Sequence, residues 1–231
     1  RIWIGPEYHT NRLQDWQILD GRLECHETHN RLPVRTCHVL THSIGSTPNA
    51  FEIEVDTGPI DAKAPNAENA FSGFLIGAGN DEIDYRLTAL VHHAPAPDGG
   101  TLAVVDHRGQ VSLRNNTQSL GGKSQWSISS PVSLDDLPLL KDQECRQADN
   151  THPNDVSPRQ FKLILTAEPR GQAYDIMLIA KDLSTDRELS RCRAKNVPAH
   201  MIDGSIALVS HHGPKGSKKG HWFSALHGHG P

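Results

Sequence analysis

The stretch FKLILTAEPRGQAYDIMLIAKD, residues 161–182, predicts two β-strands joined by a short turn. Its two apolar runs flank Pro-Arg-Gly, and proline and glycine are strong turn formers. TLAVVDHRGQVSLRN, residues 101–115, has the same arrangement around Asp-His-Arg-Gly. Two apolar runs separated by so few polar residues are typical of β-hairpins. The sequence therefore predicts at least two hairpins of antiparallel strands.

Strand patterns recur along the rest of the chain. In AFEIEVDTG, residues 50–58, Phe51, Ile53 and Val55 alternate with acidic side chains. This period of two is typical of a half-buried strand. A further apolar run, GSIALVSHH, lies at 204–212. Strands rather than helices therefore dominate the predicted structure.

The predicted architecture is one all-β domain over residues 1–231, a two-sheet antiparallel jelly-roll sandwich. Only SLDDLPLLKDQECRQ, 133–147, favours a short helix. Two polar, proline-containing segments, 56–73 and 145–160, are too long to be tight turns. Loops of this length are often functional, so we expect the site to lie near one of them.

The composition is that of a folded protein with a polar surface. Hydrophobic residues make up 36% of the 231 residues, and the formal net charge is −4. Nucleic-acid-binding proteins usually carry a basic excess, so we expect no nucleic-acid partner. No window approaches the ~18 apolar residues of a transmembrane helix, so we expect no membrane span. The 15 histidines make the surface charge sensitive to pH below about 6.5.

Four cysteines, Cys25, Cys37, Cys145 and Cys192, occur without a CxxC pair. This spacing argues against a zinc ribbon or a thioredoxin motif, and three disulfide connectivities remain open. A Cys25–Cys37 bridge would clip two successive strands, and a Cys145–Cys192 bridge would tie a loop-rich segment to a later strand. Four buried thiols are the alternative. Disulfides would indicate a secreted or periplasmic protein.

Several segments resemble known domains. DWQILDGRLEC, 15–25, resembles the beginning of concanavalin A-like and laminin-G-like jelly rolls. The run 71–100, with 106–116, 205–216 and 221–226, resembles the N-terminal laminin-G-like region that precedes the catalytic domain in some bacterial PhoD-like alkaline phosphatases. The resemblance implies a concanavalin-like sandwich beside a catalytic partner domain. It implies no phosphatase activity, because the metal-binding motifs of that catalytic domain are missing here.

Paired histidines end two apolar runs, ALVHH at His92-His93 and ALVSHH at His211-His212. If the two strands are neighbours, the four imidazoles gather at one end of the sandwich. Adjacent residues on a strand point to opposite faces, so at most one of each pair faces a common centre. The alternative is that these imidazoles cap strand ends and bond loop carbonyls.

Carboxylates before the first histidine pair are candidate metal ligands. Asp81 and Asp84, with Asp56 as a further oxygen donor, suit a structural Ca²⁺. Histidines together with these carboxylates would suit zinc. Neither histidine pair has the i,i+4 spacing of helical zinc sites, so calcium is the favoured ion.

The favoured function is recognition of a polysaccharide or oligosaccharide. Lysines attract carboxylate or sulfate groups, and an exposed tryptophan stacks on a sugar ring, which indicates an anionic glycan. The alternative is that Trp222 and Phe223 close the sandwich while the lysines only keep the loop soluble. The candidate ligand-binding residues are Tyr85, His93, His212, Lys218, Lys219 and Trp222.

A polysaccharide lyase is the main enzymatic alternative, with Arg86, His92 and His211 as candidate catalytic residues. β-Elimination on a uronate needs an arginine to neutralise the carboxylate and a proton acceptor within hydrogen-bond reach. Alternation places Tyr85 and His93 on the face opposite Arg86 and His92. The competing interpretation has Tyr85 in the core and Arg86 paired with a nearby carboxylate.

Glycoside hydrolysis is the second enzymatic alternative. Glu52, Glu54 and Asp56 share one strand face, as the acidic residues of concanavalin-fold glucanases do. The glucanase order is Glu-x-Asp-x-x-Glu, whereas this chain has Glu54 third and Thr57 sixth. A solvated polar strand face explains the same residues.

Overall fold

The computed structural model describes residues 3–10, 12–27, 34–61, 69–79, 99–116, 134–148, 160–213 and 219–229. Within these ranges the chain forms β-strands and no α-helix. The strands are β1 (Tyr8–His9), β2 (Trp16–Leu19), β3 (Arg22–Cys25), β4 (Val34–Ile44), β5 (Phe51–Pro59), β6 (Phe71–Gly79), β7 (Thr101–Asp106), β8 (Val111–Asn115), β9 (Gln143–Gln147), β10 (Phe161–Arg170), β11 (Ala173–Asp182), β12 (Glu188–Pro198), β13 (Gly204–His211) and β14 (His221–His229). Short 3₁₀ helices lie at Leu13–Asp15, Leu134–Asp136 and Ala199–Met201.

The strands form two antiparallel sheets, which confirms the predicted sandwich. One sheet has the order β1-β4-β13-β6-β7-β8, and the other has the order β2-β3-β14-β5-β10-β11-β12-β9. Many neighbours are far apart in sequence, as β4, β13 and β6 are. The described part of the chain contains no helix long and apolar enough to cross a membrane.

Both predicted hairpins are present. Strands β10 and β11 pair from Phe161 with Asp182 to Arg170 with Ala173. Gly171, in the turn between them, has a φ of +66°, which favours glycine. In the β7–β8 turn, the Asp106 carboxylate accepts hydrogen bonds from the backbone N–H groups two and four residues on, at 2.8 and 2.9 Å. Turn chemistry and strand alternation thus agree at both hairpins.

Alternation buries one face of each central strand between the sheets. In β10, Leu163 and Leu165 are fully buried, whereas Lys162 and Ile164 lie partly exposed on the outer face. Burying a leucine side chain contributes about 1.5–3 kcal/mol. The outer face of the six-stranded sheet carries a second apolar layer: Val34, Phe71, Leu75, Ala78, Leu102, Val104, Leu137, Ala207 and Val209. That sheet is therefore buried on both faces.

The helix predicted within 133–147 is mostly wrong. Only Leu134–Asp136 is helical, as a single 3₁₀ turn, and Gln143–Gln147 forms the edge strand β9. Pro138 has no N–H to donate, so a helix cannot continue through it. The first residues of the two predicted long loops, 56–73 and 145–160, belong to strands, because β5 extends to Pro59 and β9 extends to Gln147.

One of the two candidate disulfides is present. Cys145 and Cys192 are bonded and face each other on the paired strands β9 and β12. Cys25 and Cys37 are free and fully buried, so the Cys25–Cys37 bridge is wrong. Burial raises the pKa of the Cys25 thiol to about 12 and raises that of Cys37 as well. Both side chains act as small apolar groups of the core.

Candidate functional site

The second histidine pair ends β13 inside the protein. The His211 ring stacks on Phe71 with 4.6 Å between ring centroids, and its Nδ1 accepts the Gly213 N–H at 3.0 Å. His212 Nδ1 bonds the Gly213 carbonyl. Both residues are nearly inaccessible, and burial lowers the pKa of His212. These contacts are those of the alternative interpretation, in which the imidazoles cap a strand end.

A packed polar cluster surrounds this strand end. We call it the polar end and define it as Asp15, Arg35, Ser210, His211, His212 and His221. Arg35 Nε lies 2.5 Å from the Asp15 carboxylate, and both side chains are at most 5% exposed. Ser210 Oγ lies 3.0 Å from His221 Nδ1, and burial lowers the pKa of His221 to about 3. Ser210 is fully buried, so this serine–histidine pair offers a substrate no access.

Trp222 is buried, contrary to the expectation of an exposed ring. It is 3% exposed, and the Arg22 guanidinium lies 4.2 Å from its ring centroid. A Cβ on Gly58 would come within 3.0 Å of the indole, so the ring packs against the glycine backbone. Phe223 points into the core from the same strand. The residues that cover Trp222 come from other strands.

Most other candidate residues lie outside the described ranges, and their roles stay predictions. Lys219 is described and exposed. The candidates that fall outside are Asp81, Asp84, Tyr85, Arg86, His92, His93 and Lys218.

The acidic residues of β5 lie on the outer face of the eight-stranded sheet. Asp56 is paired across the strands with Lys162. Burial raises the pKa of Asp56, and the Lys162 charge opposes this. A neighbouring ammonium group disfavours Ca²⁺, so Asp56 does not fit as a calcium ligand. Among the described residues, no group of three or more His, Cys, Asp or Glu side chains is arranged to hold a metal.

A cleft of about 660 Å³ lies at the opposite end of β4 and β13 from the polar end. It is bounded by the last residues of β4, the β4–β5 connection and the first residues of β5. Its lining residues are Thr41, His42, Ser43, Ile44, Gly45, Ser46, Thr47, Asn49, Ala50, Phe51, Glu52, Ile53, Tyr174, Ile206 and Gly228. Its volume lies in the range of small-molecule sites.

The base of the cleft is apolar and fixed by one hydrogen bond. Ile44, Ile53 and Ile206 are buried there. The Tyr174 hydroxyl accepts the Asn49 N–H at 3.1 Å, which ties the β4–β5 connection to β11. The Phe51 ring lies 6.2 Å from that of Tyr174 at an angle of 59°. The base is therefore firmly packed.

Polar groups form the rim of the cleft. The exposed residues Ser43, Ser46 and Asn49 line it. Glu52 also contributes to the lining, but strand alternation directs its carboxylate to the outer face of the eight-stranded sheet. The exposed His42 ring lies against Gly228, where a Cβ would come within 2.8 Å of it. An apolar base with a few converging polar groups is typical of small-molecule sites. Sequence reasoning missed this cleft, whose only local signal is the turn-forming segment Gly-Ser-Thr-Pro-Asn.

No protein-family model and no curated protein matches the chain. Several solved structures are similar to the chain. Arcelin-5, a lectin-like defense protein from Phaseolus vulgaris, is 12% identical with a TM-score of 0.58, and the match covers 100% of this chain and 95% of arcelin-5. Lectin II from Ulex europaeus is 7% identical with a TM-score of 0.58, and the match covers 98% and 94%.

The exoplasmic/lumenal domain of VIP36, in its Ca²⁺/Man-bound form, is 9% identical with a TM-score of 0.54, and the match covers 97% of this chain and 83% of VIP36. The chain has a lectin-like, concanavalin-type sandwich fold. The fold prediction is thereby confirmed. Identities this low establish the fold alone.

Proposed function

We propose that this domain binds carbohydrate and that the cleft beside the β4–β5 connection holds the sugar. The observation that carries the proposal is the composition of the cleft, an apolar base below a rim of serine, threonine and asparagine residues. A sugar ring has the complementary character, with apolar C–H faces and a periphery of hydroxyls. Two of the similar solved structures, lectin II and the Man-bound VIP36 domain, support the same class of ligand.

The fold holds these groups in place before a ligand arrives. The hydrogen bond from Asn49 to Tyr174 fixes the connection, and Phe51 is anchored at the start of β5. Preorganised groups lose little conformational entropy on binding, so modest contacts suffice for measurable affinity.

Retention on immobilised neutral, amino, uronate and sulfated glycans tests the proposal. We expect Ser46→Trp to abolish retention, because an indole at this rim position fills the cleft. Lys141→Trp, at an exposed turn position outside the lining, is the matched control and should bind as the wild type does. Retention unchanged by Ser46→Trp would place the sugar elsewhere, and no retention of the wild type on any glycan would refute the function.

The proposal also covers the location of the protein, a catalytic partner domain and a structural metal ion. The Cys145–Cys192 disulfide supports a secreted or periplasmic location, because reducing compartments rarely retain disulfides. The resemblance to the region that precedes PhoD-like catalytic domains supports an accessory role beside a catalytic partner. A structural Ca²⁺ would rest on Asp81 and Asp84. Chelation that left retention unchanged would remove calcium from the proposal.

A further inference from the structure

The eight-stranded sheet ends in an exposed edge at β9. In the described part of the chain, β9 pairs with β12 on one side and with no strand on the other. Four of its five residues are exposed, Cys145 among them. The exposed edge of a sheet carries backbone N–H and C=O groups that can pair with another chain. At this edge the sheet therefore has room for one further strand.

The pairing with β12 shows which backbone groups point toward the edge. Ala148, directly after β9, donates its N–H to the Leu189 carbonyl at 2.8 Å. Backbone groups of an antiparallel strand alternate in direction, so Cys145, three residues earlier, directs its N–H and C=O away from β12. The Cα atoms of Cys145 and Cys192 are 4.0 Å apart, the short separation typical of a pair without mutual hydrogen bonds. The Cys145 backbone can therefore pair with a strand outside this chain.

The sequence of β9, Gln-Glu-Cys-Arg-Gln, is complementary to its own reverse. In an antiparallel pair of two β9 strands centred on Cys145, Glu144 of each copy lies opposite Arg146 of the other. The two Cys145 residues then exchange backbone hydrogen bonds, and the Glu144–Arg146 pairs occupy the closer positions that lack such bonds. Residues directly opposite each other lie on the same face of a sheet, so both pairs of opposite charge can form.

Both charges of β9 lack an ion pair within the described part of the chain. Arg146 lies opposite a like charge, Arg191 of β12, which is already bonded to a glutamate of its own strand at 2.5 Å. Glu144 lies opposite Arg193, which contacts an aspartate of β11 at 2.9 Å. Charges on an edge strand usually prevent it from pairing with other chains. A second copy of β9 instead supplies the opposite charge to each of them.

We infer that β9 is a dimerisation edge, at which two copies of this chain join their eight-stranded sheets by antiparallel pairing centred on Cys145. The partner is a second copy because the same five residues satisfy the charges on both sides. The interface is small, so the dimer depends on protein concentration and is not permanent. No residue of β9 lines the cleft, so the inference stands independently of the proposed function.

Sedimentation equilibrium of the wild type and of charge variants tests the inference. We expect the wild type to dimerise as its concentration rises, and to do so more weakly at high salt, because the ion pairs are exposed. Arg146→Glu places like charges opposite each other at both pairs and should weaken dimerisation at least about tenfold. The monomer should remain folded, because the new carboxylate lies opposite Arg191 of its own chain.

The double variant Glu144→Arg, Arg146→Glu restores opposite charges at both pairs, so it should dimerise about as strongly as the wild type. Far-ultraviolet circular dichroism checks that each variant is folded, and the double variant keeps the test decisive if Arg146→Glu is not. Lys195→Glu is the matched control, since Lys195 is exposed on β12 and undergoes the same change of charge. It should leave dimerisation unchanged.

Four results would each overturn the inference. The wild type could remain monomeric at every concentration, or Arg146→Glu could dimerise as strongly as the wild type. The double variant could dimerise no better than Arg146→Glu, or Lys195→Glu could weaken dimerisation as much as Arg146→Glu does.

Discussion

Single buried titratable residues of this protein are accommodated in two different ways. The Asp15 carboxylate forms ion pairs with the guanidinium groups of Arg35 and Arg12, at 2.5 and 2.7 Å. His38 is 1% exposed on β4, and burial, with a smaller contribution from His9, lowers its pKa to about 3. Asp15 is thus accommodated by two ion pairs, whereas His38 stays neutral because placing a charge on a buried imidazole is costly.

The state of His38 predicts a specific pH dependence of stability. The unfolded chain binds a proton at His38 below pH 6.5, whereas the folded protein does not until about pH 3. Protonation of His38 therefore leaves the free energy of unfolding unchanged above pH 6.5. Below pH 6.5 it lowers this free energy by about 1.4 kcal/mol per pH unit. Between pH 7 and 5 the free energy of unfolding should fall about 2 kcal/mol more for the wild type than for His38→Gln.

Urea unfolding of both proteins at each pH measures this difference. Carboxylates titrate in both proteins and cancel in the comparison. Equal losses in the wild type and His38→Gln would show that His38 is protonated in the folded state.

Among the elements, the edge strand β9 depends most on a covalent link. Its residues are largely exposed, and it pairs with β12 on one side only. The Cys145–Cys192 disulfide joins these two strands across a sequence separation of 47 residues. The bond therefore fixes an element that contributes little apolar burial of its own.

Removing this bond should lower stability substantially. We expect the double variant Cys145→Ser, Cys192→Ser to lose about 3–4 kcal/mol of unfolding free energy, because closing a loop of this length restricts the unfolded chain. Urea titration with and without reductant provides the measurement. The wild type under reductant should match the variant, and no change in either would contradict the role given to the bond.

Strand alternation and turn composition allowed most elements to be predicted. Ile53 and Val55 point inward as expected, because a period of two fixes the face once one neighbour is buried. The sequence left open whether Trp222 is exposed or closes the sandwich, because its burial depends on Arg22 and Gly58 from other strands. The cleft was missed for the same reason, because Tyr174 and Gly228 meet the β4–β5 connection only after the sheets assemble. Contacts across strands leave little trace in a local sequence pattern.

In the whole molecule, β4 and β13 connect two contrasting ends of the sandwich. At the polar end, the Asp15–Arg35 ion pair, the stacked rings of His211 and Phe71 and the Ser210–His221 contact form a buried cluster. At the other end lies an open cleft with an apolar, buried base. His211 and His212 are therefore part of the packed interior, and the exposed polar residues of the cleft lie at the opposite end of β4 and β13.

Amide chemical-shift mapping with a retained sugar tests this division most directly. Saturating sugar should shift the amides of Gly45, Ser46, Asn49 and Gly228 most, and leave those of His211 and its neighbours at the polar end unchanged. The largest shifts at the polar end, with the cleft amides unmoved, would contradict the account.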